Sequence, residues 1–208
     1  MKKIISVLLA ICLVSAALMS LASCSKNGAD ADTIYIGVYE PASGSNGAGG
    51  KQETLGIKYA HDTKNTVTVG GKTYKVELVI VDNESNDDKA ISAATQLINK
   101  NVSVVLGSYG SSVSIAAADT FKNAHLPAIG ITCTNPKVTS DSDYYFRACF
   151  LDPFQGTVLA NFAKDKGATK AYVLAEQGNA YDVGLANYFK TAFGKENEDY
   201  KYENFPKG

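Results

Sequence analysis

Hydroxyl side chains gather at two places in this 208-residue chain, each directly after a short apolar run. Val104–Leu106 leads into Gly107-Ser108-Tyr109-Gly110-Ser111-Ser112, and Leu126–Ile131 leads into Thr132-Cys133-Thr134-Asn135-Pro136. Short apolar runs of this kind suit buried parallel strands. In an open α/β sheet, ligands sit beyond the carboxyl ends of the strands. Hydroxyls and backbone N–H groups at two such ends therefore suit a small polar ligand. Between them, Ser111 opens a helical pattern that sets Val113, Ala117, Phe121 and Ala124 on one face. The start of that helix favours an anion. The stretch from Val104 to Pro136 reads as half of a small-molecule site. The plainer reading of the same residues is that Ser111 and Ser112 cap a helix and Thr134-Asn135-Pro136 makes a turn.

Other chemistry is poorly supplied. A serine hydrolase using Ser111 would need GxSxG, which Gly110-Ser111-Ser112 is not, and neither His61 nor His125 stands in triad order. Gly70-Gly71-Lys72-Thr73 resembles the tail of a phosphate-binding loop. Thr66 stands where that motif needs glycine, and the flanks alternate like strands, so a hairpin turning at Gly70-Gly71 explains it better. Ala42–Gly50 is rich in glycine and serine but holds no GxGxxG, so no dinucleotide cofactor is expected. The acidic run Asp82–Asp88 lacks EF-hand spacing, and no CxxC or zinc spacing occurs. No metal and no cofactor are expected.

The composition is that of an ordinary globular protein, 45% hydrophobic and 20% charged, with net charge −1. Arg147 is the only arginine and no basic cluster exists, which argues against a nucleic-acid partner. Residues 1–23 read as a signal peptide: Lys2 and Lys3, then an apolar stretch from Ile4 to Met19 that is too short to span stably. Cys12 leaves with that peptide. An exported compartment would permit, though not require, a disulfide between Cys133 and Cys149.

The elements that must position the hydroxyl loops alternate along the chain. Ser25–Asp32 is a polar tether. Thr33–Tyr39 is a first strand stopped by Pro41, and a helix is predicted over Lys51–Lys64. After the 67–74 hairpin comes a strand at Val76–Val81. The acidic run then caps a helix buried through Ala90, Ala94, Leu97 and Ile98. Beyond Pro136 a polar loop precedes Tyr144–Arg147. A helix over Gln155–Lys166 is predicted to turn Val158, Leu159 and Phe162 inward, Ala171–Ala175 to form a buried strand, and Val183–Phe193 an amphipathic helix with Leu185, Tyr188 and Phe189. One more extended segment fits between Gly194 and Gly208. Strand–helix alternation throughout gives an α/β class with a mainly parallel sheet and right-handed crossovers.

Several of these segments together resemble the substrate-binding proteins of ABC transporters, of the branched-chain amino-acid type in the class I periplasmic-binding-protein-like group. They are the Leu21-Ala22-Ser23-Cys24 lipobox, IxIGVYxPxSG at Ile34–Gly44, VELVIVDNESND at Val76–Asp87, the GSxxSS turn, the TNP loop, and FRxxxxDxxQG at Phe146–Gly156. The resemblance covers about Ile34 to Leu185. It implies a Rossmann-like three-layer lobe over residues 33–152 and the beginning of a second, similar lobe over 153–208. Complete members are longer, so the chain is expected to be an N-terminal portion of such a protein, with 24–32 as the lipidated cysteine and tether. Residue by residue, the resemblance puts Ser111, with Ser112 as near alternative, on a ligand carboxylate. It puts the Thr132 backbone and the Thr134 hydroxyl on the ammonium and carboxylate, and Tyr181 over the ligand. Asp182 stands where the family usually has glycine, and Ser43–Gly50 lacks the aromatic often found there. An acidic partner for the ammonium would lie beyond residue 208. The implied protein is a non-enzymatic monomer, lipidated on Cys24 and held on the outer face of the cell membrane (or periplasmic). It would capture an amino-acid-like solute for ABC permease subunits. A sensing module of the same fold, or a binder of a sugar or amide, are the alternatives.

Overall fold

The structure, a computed structural model, describes residues 32–196 and 198–206. The expected signal peptide and Cys24 lie outside those residues. Everything from Ile34 onward groups as one unit.

Six strands form the principal sheet in the order β2-β3-β1-β4-β5-β6. They are β1 (Thr33–Glu40), β2 (Thr66–Val69), β3 (Lys72–Asp82), β4 (Val104–Leu106), β5 (Ala128–Gly130) and β6 (Tyr145–Arg147). β1–β4, β4–β5 and β5–β6 pair in parallel, and β2–β3 is the antiparallel hairpin turning at Gly70-Gly71. The hairpin strand and the strand expected at 76–81 are one continuous β3. The helices are α1 (Gly47–Thr63), α2 (Asp87–Asn99), α3 (Ser111–Asn123) and the one-turn α4 (Lys137–Ser140). They fill both sides of the sheet. Side chains alternate across β1. Tyr35 and Tyr39 join the core built on α2 and α3. Ile36 and Glu40 point the other way, toward α1.

The core is tight around Phe121. Its ring meets Tyr39 edge-on at 5.5 Å and Tyr145 at 6.1 Å, contacts worth about 0.5–1.5 kcal/mol each beyond area burial. The Tyr39 hydroxyl donates to the Ala90 carbonyl and the Tyr145 hydroxyl to the Gly107 carbonyl, so neither buried phenol is left unpaired. Ala90, Ala94 and Leu97 are fully buried, with Ile98 packed at the edge, as the pattern of α2 predicts. Ala124 is different: it is the exposed C-cap of α3, not part of its apolar face.

The acidic run does more than cap. Asn86 is the N-cap of α2 and accepts from the Asp88 and Lys89 N–H groups. Asp82 accepts from the Ala42 and Ser43 N–H groups and the Ser43 hydroxyl, which pins the first loop to the end of β3. α1 begins at Gly47 and not at Lys51. Its glycines are packing residues: a Cβ at Gly50 would lie 2.2 Å from the Pro41 carbonyl oxygen.

The remaining elements are α5 (Asp152–Asp165), β7 (Ala171–Glu176), α6 (Ala180–Phe193) and β8 (Tyr200–Phe205), with β7 and β8 pairing in parallel as a separate two-stranded sheet. Here burial departs from the sequence pattern. Val158, Leu159 and Phe162 are exposed, Phe162 by 58%, and Tyr172 and Leu174 of β7 are exposed too. α5 buries Gly156 and Ala160 instead. The cause is close packing on α6, where a Cβ at Gly156 would stand 2.6 Å from Tyr188 Cβ. Among the described residues no helix is long and apolar enough to cross a membrane.

Candidate functional site

All five residues expected at a ligand come to one cleft. Ser111 and Ser112 form the first turn of α3, Thr132 and Thr134 lie in the loop after β5, and Tyr181 lies in the first turn of α6. They line a cavity of about 520 Å³. Gly110 is the N-cap of α3 and contributes no side-chain bond, which leaves the first turn open toward the cavity. On the facing side, Asn179 caps α6 and accepts from the Tyr181 and Asp182 N–H groups. Two helix N-termini thus border the same space, each with a partial positive charge.

The hydroxyls are already hydrogen-bonded in part. Ser111 Oγ, only 3% exposed, accepts from the Asn135 N–H at 3.3 Å. Ser112 Oγ accepts from the Ala180 N–H at 2.8 Å, and Asn135 Nδ2 donates to the Ala180 carbonyl at 2.7 Å. These two bonds tie the α3 end of the cleft to α6. Gly184 makes that approach feasible, because a Cβ there would fall 2.7 Å from Asn135 Nδ2. The Thr132 hydroxyl is taken up by Glu53 and lies 3.4 Å from the Tyr109 carbonyl oxygen. The buried Thr134 hydroxyl faces the Asp152 carboxyl. Burial pushes the Asp152 pKa up; the Thr134 contact and the Arg147 charge counter that rise.

Arg147 works beneath the cleft and not in it. Its guanidinium donates to the Cys133 carbonyl at 2.9 Å, to the Asn135 and Pro136 carbonyls at 2.9 and 3.2 Å, and to Thr139 Oγ1 at 2.7 Å. A planar five-donor group meets four acceptors of one loop, which a lysine could not reproduce. The FRxxxxDxxQG segment therefore builds the site as a unit. Arg147 clamps the loop, Asp152 backs Thr134, Gln155 Nε2 donates to the Tyr181 hydroxyl at 3.2 Å, and Gly156 lets α6 approach.

Further lining residues escaped sequence reasoning. Tyr109 and Phe150 bring aromatic surface, and Asp87, Glu176, Asp182 and Gln155 bring polar atoms. Tyr109 is instructive: its ring lies where a Cβ of Gly49 would be, at 2.4 Å, so it occupies the aromatic-free first loop from the other side. A tyrosine between two glycines was the available signal. No lining residue among those described is cationic, and three are acidic. Cys149 also lines the cleft, and Cys133 lies buried behind it with its thiol pushed up to about 11 by burial. Both are free thiols, without the disulfide that export would permit. No cluster of His, Cys, Asp and Glu among the described residues could hold a metal ion.

A sheet flanked by helices, followed by a second strand–helix unit across a cleft at the strand ends, defines a solute-binding architecture of the periplasmic type. The family described as "Periplasmic binding protein" matches residues 33–201, and the chain belongs to it. It is 29% identical over 163 residues to Leu/Ile/Val-binding protein homolog 3 of Brucella melitensis, covering 78% of this chain and 44% of that protein. The leucine-binding protein LivK of Thermotoga maritima superposes with TM-score 0.77 at 34% identity, over 84% of this chain and 49% of that one. A solute-binding protein of an ABC transporter from Rhodopseudomonas palustris, solved with 3,4-dihydroxybenzoic acid, gives TM-score 0.72 at 25% identity, over 84% and 47%. The chain spans about half the length of these relatives.

Proposed function

We propose that this chain is the ligand-capturing part of an extracytoplasmic solute-binding protein of an ABC transporter, and that its solute is an amino acid, branched-chain or similar. Residues 33–152 form the N-terminal lobe and 153–208 the first part of the C-terminal lobe. Residues 1–23 direct export and Cys24 carries the lipid anchor, which holds the protein on the outer face of the membrane for its permease. The chain does no chemistry on its ligand.

One observation carries the amino-acid reading: the cleft joins anion-favouring and cation-favouring features and, among the described residues, no basic side chain lines it. The Ser111–Ser112 turn at the start of α3 suits a carboxylate. Glu176 and Asp182, with the lone pairs of Thr134, suit an ammonium. A zwitterion answers both. Tyr181 covers the apolar part of the ligand, and the Thr132 backbone borders the carboxylate. The second reading is an aromatic carboxylate, favoured by Tyr109, Phe150 and Tyr181 in the lining and by the benzoate-type ligand of the palustris relative.

Calorimetric titration of the chain from Ser25 onward with L-leucine, benzoate and D-glucose separates these readings. Saturable binding of leucine above benzoate, and none of glucose, is expected. Ser111→Ala and Thr134→Ala should each weaken leucine binding by about 1–3 kcal/mol, the cost of leaving a buried partner unpaired. Benzoate above leucine would replace the zwitterion by the aromatic acid, and no effect of either substitution would remove the hydroxyls from the site.

A further inference from the structure

Beneath the cleft, a buried carboxyl meets a half-buried one. Glu40 ends β1 and is 1% exposed, and Glu53 reaches it from α1. Each holds one ligand loop by one oxygen. Glu40 Oε2 accepts from the Tyr109 N–H at 2.8 Å, in the turn that leads to Ser111. Glu53 Oε1 accepts from the Thr132 hydroxyl, in the loop that leads to Thr134. The other oxygens, Glu40 Oε1 and Glu53 Oε2, are buried with no other hydrogen-bond partner. Two ionised carboxylates could not occupy this place. A single proton between the two inner oxygens satisfies both atoms and cancels one charge.

The surroundings keep that proton in place. The Cys149 thiol lies near the pair, and Tyr39 of β1 and Tyr145 of β6 act on it from the α2–α3 core; all three are neutral acids whose burial disfavours further charge. No cation among the described residues pairs with either carboxyl. On the far side, Ile36, Ile57, Leu106 and Ile131 line a mostly apolar groove that reaches Glu53, with His61 and Lys64 also on its wall. The chain also makes room: at Gly107, with φ of +117°, a Cβ would lie 2.5 Å from Glu40 Oε1. Glycine alone fits there, by both conformation and space.

We propose that Glu40 and Glu53 share one proton, and that this protonated pair is the strut that fixes the Tyr109–Ser112 turn and the Thr132–Thr134 loop relative to each other. That these are the ligand loops rests on the function proposed above; the strut itself does not. The two are positioning residues: they act through Tyr109 and Thr132, not on the solute.

The direction of the pH effect follows from the geometry. Burial, then the neighbouring Glu53, push the Glu40 carboxyl from its ordinary 4.5 up to about 10. The folded chain keeps the proton that the unfolded chain has already released. The strut's contribution to stability is therefore whole below 4.5 and is lost as pH rises through that interval to about 10.

The test is made without ligand, so that a failure of the amino-acid reading does not touch it. In the full chain carrying ¹³C at the glutamate carboxyls, one resonance should keep the shift of a protonated acid at neutral pH and vanish in Glu40→Gln. The Thr132 methyl and a Tyr109 backbone resonance should move together on that titration, and neither should move with it in Glu40→Gln. Thermal melts of Glu40→Gln should gain on the wild type from acid to neutral pH, since the amide keeps its hydrogen. If every glutamate of the wild type titrates in the ordinary carboxylate range, the shared proton is refuted whether or not the variant folds. If the proton is present but Tyr109 and Thr132 respond independently, the strut is refuted.

Discussion

Apolar periodic patterns run through both the sheet region from Thr33 to Arg147 and the α5–β7–α6–β8 region, but the two are not similarly packed. In the first, the faces turned to the α2–α3 core find partners: Tyr39, Leu97, Val105 and Phe121 have no exposed surface. In the second, Phe162 is 58% and Leu174 60% exposed, although both stand in apolar periodic patterns. A pattern in the sequence states which face an element offers. Whether that face is buried depends on what packs against the element: α5 meets α6 through Gly156 and buries Ala160, while Phe162 stays outside. The comparison also separates stability from function: the first region supplies most of the core, while the cleft needs both.

The widest gap between the regions is expected in core truncation. Phe121→Ala should cost about 3–5 kcal/mol in urea unfolding, since the ring is wedged between Tyr39 and Tyr145. Phe162→Ala should stay within about 0.5 kcal/mol, as exposed positions do. Equal losses would break the comparison and mean that the α5 face is covered in solution. A smaller effect, at the junction of the two regions, is expected from Arg147→Lys. The charge remains but the four-acceptor grip does not, so stability should fall by about 2 kcal/mol, less than for Phe121. Amides of residues 132–139 should then exchange faster with solvent than those of β7. Unchanged exchange there would show that the loop holds its shape without the guanidinium.

Much of this was legible beforehand. The Val104–Pro136 reading placed a strand, a serine turn, a helix and a threonine loop where they occur, because periodicity and glycine are local signals. What failed was non-local. Nothing near Glu40 or Glu53 in sequence shows that a strand end and a helix will bring two carboxyls together. The helix start at Gly47 was hidden because glycine reads as loop, whereas here it yields to Pro41 and Tyr109. Arg147 stood inside a recognised segment, yet its role depended on carbonyls of a loop that had no fixed shape until folded. Val158, Leu159 and Phe162 fit an apolar pattern, but α5 packs on α6 through Gly156 and Ala160, small residues that the pattern does not mark as a packing face.

The most direct measurement is an NMR titration of the ¹⁵N-labelled chain from Ser25 onward with L-leucine. The account predicts saturable shifts confined to Ser111, Ser112, Thr132, Thr134 and Tyr181, on both sides of the cleft and with one common affinity. Shifts gathered instead along the apolar groove beside Ile57, or none at the α3 turn when leucine is bound, would contradict it.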